Sequence, residues 1–161
     1  MDRKFITKSI KETKQIAEKV AQSIIQTGEE KNEIGAVILA LNGELGSGKT
    51  VFAQGFAQKL EIKEPILSPT FVIFRKFKIN FNRFDCFYHF DLYRIEDSKD
   101  LKVLEFQKII DNPSNIILIE WAEKVKNPLP LDAIFINFEL IGKKRREITI
   151  KNLPSKFFKR V

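Results

Sequence analysis

The chain has 161 residues, 43% of them apolar and 30% charged, and its 28 Lys and Arg against 21 Asp and Glu leave a net charge of +7. That length and composition suit one packed domain and exclude an intrinsically disordered or collagen-like chain. Cys86 is the one cysteine and the longest apolar run, Ala36 to Leu41, is six residues, so a disulfide scaffold and a membrane-spanning helix are excluded as well and a cytoplasmic location is expected.

Ile10, Ile16, Ala17, Val20, Ala21, Ile24 and Ile25 recur at helical spacing and predict an amphipathic helix. Ser9 with Glu12 three residues later fits a capping box at its start, and Gly28 is the expected stop. Gly35 to Leu41 (GAVILAL) is too short for a helix and reads as a strand buried on both faces, as in a parallel sheet. A glycine-rich turn follows, then a helix from about Lys49 to Leu60. Phe71 to Ile79 and Phe84 to Tyr93 are rich in aromatic and β-branched residues and flank Asn80 to Arg83, which predicts an antiparallel pair. Asp97 or Ser98 can cap a helix running to about Ile110, ended by Asn112-Pro113. Ile116 to Ile119 is a second fully apolar strand. Ala133 to Leu140 and Arg146 to Ile150 alternate around Gly142 as a terminal hairpin. Helices between apolar strands give the expected fold class: an α/β three-layer sandwich of the P-loop NTPase kind, with a mostly parallel, mixed central sheet. The expected organisation is a single domain over 1–154 and a basic tail over 155–161.

Gly43-Glu44-Leu45-Gly46-Ser47-Gly48-Lys49-Thr50 matches G-x-x-x-x-G-K-[ST], between a buried strand and a helix. Glycines let the backbone curl so that successive N–H groups point at phosphate oxygens, and the helix N-terminus adds positive potential. Lys49 can reach the β- and γ-phosphates, and the Thr50 hydroxyl can ligate Mg²⁺. Such a loop works with an acid at the end of a neighbouring strand. Glu120 follows four apolar residues, the better Walker B pattern, and Asp91 follows Phe87 to Phe90. The sequence leaves open which of the two meets the metal. Ser68-Pro69-Thr70 lies where a hydroxyl can approach a γ-phosphate. It reads equally well as a plain turn. His89 reads as a packed or hydrogen-bonded strand residue, Cys86 as inert, and Trp121 as packing or as a pocket wall. No Cys/His spacing suggests zinc.

Four segments taken in order, GELGSGKT (43–50), SPTF (68–71), HFDLYR (89–94) and IEWAEK (119–124), resemble the TsaE (YjeE) family. HFDLYR is much more specific than the phosphate loop. The resemblance implies ATP binding and slow hydrolysis with Mg²⁺. It also implies partnership with a TsaB–TsaD-type complex that places threonylcarbamoyl on adenosine 37 of tRNAs reading codons that begin with A. By matching position it implies nucleotide contacts from Gly43, Glu44, Leu45, Gly46, Ser47, Gly48, Lys49 and Thr50. Metal ligation falls to Thr50 and Glu120, and catalytic roles to Lys49, Asp91 and Glu120. Ser68 and Thr70 match a switch-like segment, and the regions around Ile10 and Arg145 match ones that approach the nucleotide. The chain departs from the family with Glu44 for Asp, Ser47 for Ala, Glu105 for a typical Gly, and a longer stretch from Lys76 to Phe87.

Two other readings compete. A P-loop small-molecule kinase would clamp the phosphoryl group with arginines, but the middle of the chain has only Arg75, Arg83 and Arg94 and shows no obvious helical lid. A nucleotide-dependent binding module would make hydrolysis incidental. The net charge is also localised: the last 19 residues hold eight basic residues against Glu147, and the first 142 are balanced. Contact with tRNA is therefore expected either indirectly, through the partner complex, or through this basic C-terminal segment.

Overall fold

A computed structural model describes residues 2–27, 35–68, 72–96, 101, 105–125 and 129–153. Gly28, Thr70, Asp97, Ser98 and the tail 155–161 lie outside the described residues.

A seven-stranded mixed sheet has the order β1-β7-β6-β2-β5-β4-β3. Its centre is parallel: β2 (Val37–Gly43) pairs with β5 (Asn115–Glu120) and β6 (Ile134–Leu140), and β4 (Phe84–Asp91) pairs with β5. Its margins are antiparallel, with β3 (Phe74–Phe81) on β4 at one side and β7 (Arg146–Lys151) between β6 and β1 (Arg3–Thr7) at the other. Alternation along β2 explains its continuous apolarity. Leu39 and Leu41 join Val20, Phe52 and Phe56 beneath helices α1 (Ile10–Thr27) and α2 (Lys49–Lys59), while Ile38 and Ala40 join Phe90, Ile117 and Phe106 on the opposite face.

Each predicted element is recognisable, with instructive differences. Ser9 Oγ accepts the Glu12 N–H at 3.1 Å, but Glu12 reaches back to the N–H of Lys8 at 2.8 Å and not to that of the cap residue. In the β3–β4 hairpin the turn is tighter than expected, at Asn82-Arg83, with a register irregularity between Lys78 and Phe81. Asn82 Nδ2 donates to Ile25 O at 2.5 Å, anchoring the turn to the end of α1. The helix expected up to Ile110 is present at its end as α3 (Phe106–Ile110). Glu105 immediately before it has φ 54°, a left-handed conformation that no helix interior accommodates, so the helical path breaks there. β1 has no counterpart in the sequence reading.

Gly55 sets the distance between α1 and α2. A Cβ there would lie 2.7 Å from both Lys14 Cα and Lys14 O, so only glycine lets the two helices meet this closely.

Candidate functional site

Strands β2, β4 and β5 end at the same rim of the sheet, where the loop from β2 to α2 curls back. Gly43 (φ 147°), Gly46 (φ 77°) and Gly48 (φ 111°) supply the positive φ angles of that loop. At Gly43 a side chain is also excluded by space, because a Cβ would lie 2.6 Å from Phe138 O. Gly48 occupies the N-cap of α2 and offers no side-chain cap to the first helical N–H groups, which leaves that helix end open for an anion. Ser47 is fully buried beneath the loop, whereas Glu44 and Leu45 are exposed.

Lys49 is almost entirely buried. Its ammonium donates to Gly43 O at 2.6 Å and Glu44 O at 2.8 Å, and sits 4.0 Å from the centre of the Trp121 ring. Burial holds its pKa below the ordinary lysine value of 10.5, with Glu120, Glu123 and Asp91 pulling the other way.

Thr50 Oγ1 donates to Glu120 Oε2 at 2.8 Å. The other carboxylate oxygen, Oε1, accepts from His89 Nε2 at 2.8 Å. Asp91 is directly opposite Glu120 in the β4–β5 register. Its Oδ2 accepts from the Ser68 hydroxyl and its Oδ1 from the Tyr93 N–H at 3.0 Å. The loop segment preceding Ser68 in the chain is itself held, by Gln54 Nε2 to Ile66 O and Arg75 Nη1 to Pro65 O, both at 3.1 Å. Lys49, Thr50, Ser68, Asp91 and Glu120 line an open cavity of about 260 Å³, together with Leu45, Gly46, Gly48, Val51, Tyr93 and Trp121.

Lys49, Thr50, Asp91, Glu120 and Ser68 are thus brought to one cavity from four separate stretches of chain. Ile10 and Arg145 are not on its wall. Arg146, next to the latter, does approach the loop: a Cβ at Gly48 would lie 3.3 Å from its Cδ and Nε. Thr7 pairs with Arg146 across β1 and β7, which brings the start of α1 to the same side. Thr50 Oγ1 and Glu120 Oε2 are oxygen donors of the kind that magnesium takes. Among the described residues no group of three His, Cys, Asp or Glu side chains gathers to hold a metal by protein ligands alone.

The family model described as "Threonylcarbamoyl adenosine biosynthesis protein TsaE" matches residues 7–148. The chain belongs to the TsaE family. It is 33% identical over 155 residues to the tRNA threonylcarbamoyladenosine biosynthesis protein TsaE of Bacillus subtilis, covering 96% of this chain and 88% of the relative. The TsaE protein of Rickettsia typhi is 35% identical over 145 residues, covering 89% of this chain and 90% of its own. The crystal structure of Bacillus subtilis YdiB superposes with a TM-score of 0.72 at 27% identity, covering 98% of this chain and 89% of that one. Membership of the TsaE family assigns the chain to threonylcarbamoyladenosine biosynthesis, as the four motifs implied. Among the described residues no helix is long and apolar enough to cross a membrane.

Three features of this TsaE-family site were not legible beforehand. His89 is hydrogen-bonded to Glu120, Tyr93 packs at a tilt against Trp121 with ring centroids 5.0 Å apart, and the Arg146 side chain lies over Gly48. Each joins residues far apart in sequence through strand pairing that no local pattern announces.

Proposed function

We propose that the chain is the ATP-binding and ATP-hydrolysing subunit required for threonylcarbamoyl modification of adenosine 37 in tRNAs reading codons that begin with A, acting with a TsaB–TsaD-type transferase complex. The observation that carries this reading is the convergence of the glycine loop, Lys49, and the Thr50–Glu120 contact on one cavity.

The loop N–H groups and the open end of α2 would hold the phosphates. Lys49, released from the carbonyls of Gly43 and Glu44, would pair with the terminal phosphates. Thr50 and Glu120 would hold Mg²⁺, which supplies charge neutralisation for the transferring phosphoryl group. Asp91 would act beside them through the Ser68 segment that it anchors. Loss of Mg-ATP affinity in Lys49→Ala, read by calorimetry, tests the binding site. Reconstitution with the partner proteins, tRNA and ATP, scored for modified adenosine, tests the function; no dependence on this subunit would refute it.

The few arginines that a kinase reading could draw on are engaged elsewhere or lie off the cavity wall. Arg83 Nη1 donates to Pro113 O at 2.7 Å, Arg75 is engaged with Pro65, and neither these nor Arg94 line the cavity.

A further inference from the structure

His89 is a polar ring with no exposure to solvent, set on β4 opposite Leu118 and two residues after the buried Phe87. A phenylalanine or leucine would pack there without the desolvation that imidazole suffers. The ring's compensation is a single hydrogen bond, Nε2 to Glu120 Oε1 at 2.8 Å, and its Nδ1 has no hydrogen-bond partner among the described residues. The polarity of this side chain is therefore spent on Glu120 alone.

Glu120 has need of such a partner. Its carboxylate stands at the end of three rotatable bonds, one more than an aspartate, and is only 2% exposed. Two donors from two different elements fix it: Thr50 of α2 takes Oε2, and His89 of β4 takes Oε1. With Oε1 occupied on the core side, Oε2 is the oxygen left on the cavity side.

We propose that His89 is a positioning residue that locks the Glu120 carboxylate so that one defined oxygen, Oε2, faces Thr50 and the divalent cation. This rests on the metal role assigned to Glu120 above. Outer partners of metal-ligating carboxylates typically contribute about 10- to 100-fold to metal affinity.

The chain has one histidine, so the imidazole signals in a nitrogen–proton correlation spectrum belong to His89 without further assignment. In the wild-type protein the ring proton is expected on Nε2, protected from exchange, with its shift moved by Glu120→Gln. A ring carrying its proton on Nδ1 alone overturns the proposal. Nucleotide affinity is then measured with Mg²⁺ and with a chelator in His89→Gln, which keeps a donor, and His89→Met, which keeps the shape without one. His89→Met is expected to lose about 10- to 100-fold of the Mg²⁺-dependent affinity and none of the chelator value; His89→Gln is expected to recover most of it. Equal losses in both conditions, or no advantage of Gln over Met, overturn the proposal. If His89→Met fails to fold, the wild-type spectrum and the increment kept by His89→Gln still decide. A wild-type protein with no Mg²⁺-dependent increment overturns the metal reading itself and this proposal with it. An increment present in the wild type and intact in His89→Met overturns only the role of His89.

Discussion

The Thr50 hydroxyl donates to Glu120 Oε2 at 2.8 Å, joining the first turn of α2 to the last residue of β5. The two oxygens that would meet the metal lie side by side in this contact. Removing either should leave the fold and damage hydrolysis. Glu120→Ala and Asp91→Ala are expected to lower phosphate release from Mg-ATP by at least about 100-fold, the usual loss when a preorganised charged group leaves such a site. Normal turnover in both variants would refute their assigned roles.

Glu105 has φ 54°, where a β-carbon is penalised by about 1–2 kcal/mol. Its ion pair with Lys108, 2.5 Å long and solvent-exposed, offsets little of this. Glu105→Gly is expected to stabilise the protein by about 0.5–1 kcal/mol after the greater chain entropy of glycine is counted. A denaturant midpoint that falls, with an unchanged slope, would contradict this.

Gly55 gives the opposite prediction. A Cβ there meets the backbone of Lys14, which cannot rotate away as a side chain would. Gly55→Ala is expected to cost about 1–3 kcal/mol by forcing α1 off α2. Thermal and urea unfolding both read this loss.

Lys4 and Glu147 pair at 2.8 Å and tie β1 to β7. The hydrogen bond and charge of Glu147 raise the Lys4 pKa above 10.5, and the hydrogen bond from Lys4 holds the Glu147 carboxyl below 4.5. The carboxylate's contribution is present above pH 4.5 and is lost as pH falls through its lowered folded value; the ammonium's is complete below 10.5 and is lost as pH rises through its raised one. The stability difference between wild type and Lys4→Met should therefore persist at neutral pH, shrink in acid below 4.5, and shrink in high salt, since Lys4 is exposed and Glu147 only half-buried. A difference that survives in acid would mean that Lys4 acts through packing of its stem.

The sequence patterns that named elements correctly were those with strong local causes. The run Val37 to Leu41 is buried on both faces, and the eight residues of the glycine loop carry their own geometry. β1 was missed because Arg3–Thr7 is a short margin strand whose sole pairing, to β7, is with residues some 140 positions away. The break at Glu105 has no local signal, because glutamate normally favours helix and no glycine or proline marks the left-handed residue there. At the site, Lys49, Thr50, Asp91 and Glu120 were singled out by residue type beside strand ends. The link from His89 to Glu120 was not, because it depends on which strands are neighbours. The order β2-β5-β4 brings His89 and Glu120 together, and alternation along β4 turns His89 and Asp91 to the same face.

β1 precedes the glycine loop in the chain and its partner strand β7 follows it, so the β1–β7 ladder closes around the segment that carries the loop. Without β7, β1 would have no ladder to join among the described strands and the phosphate loop no arginine over Gly48. A nascent chain halted before β7 would carry the whole glycine loop, β4 and β5 while lacking one margin of the sheet. The margin ladder and the arginine over the loop therefore stand or fall together, because both belong to β7.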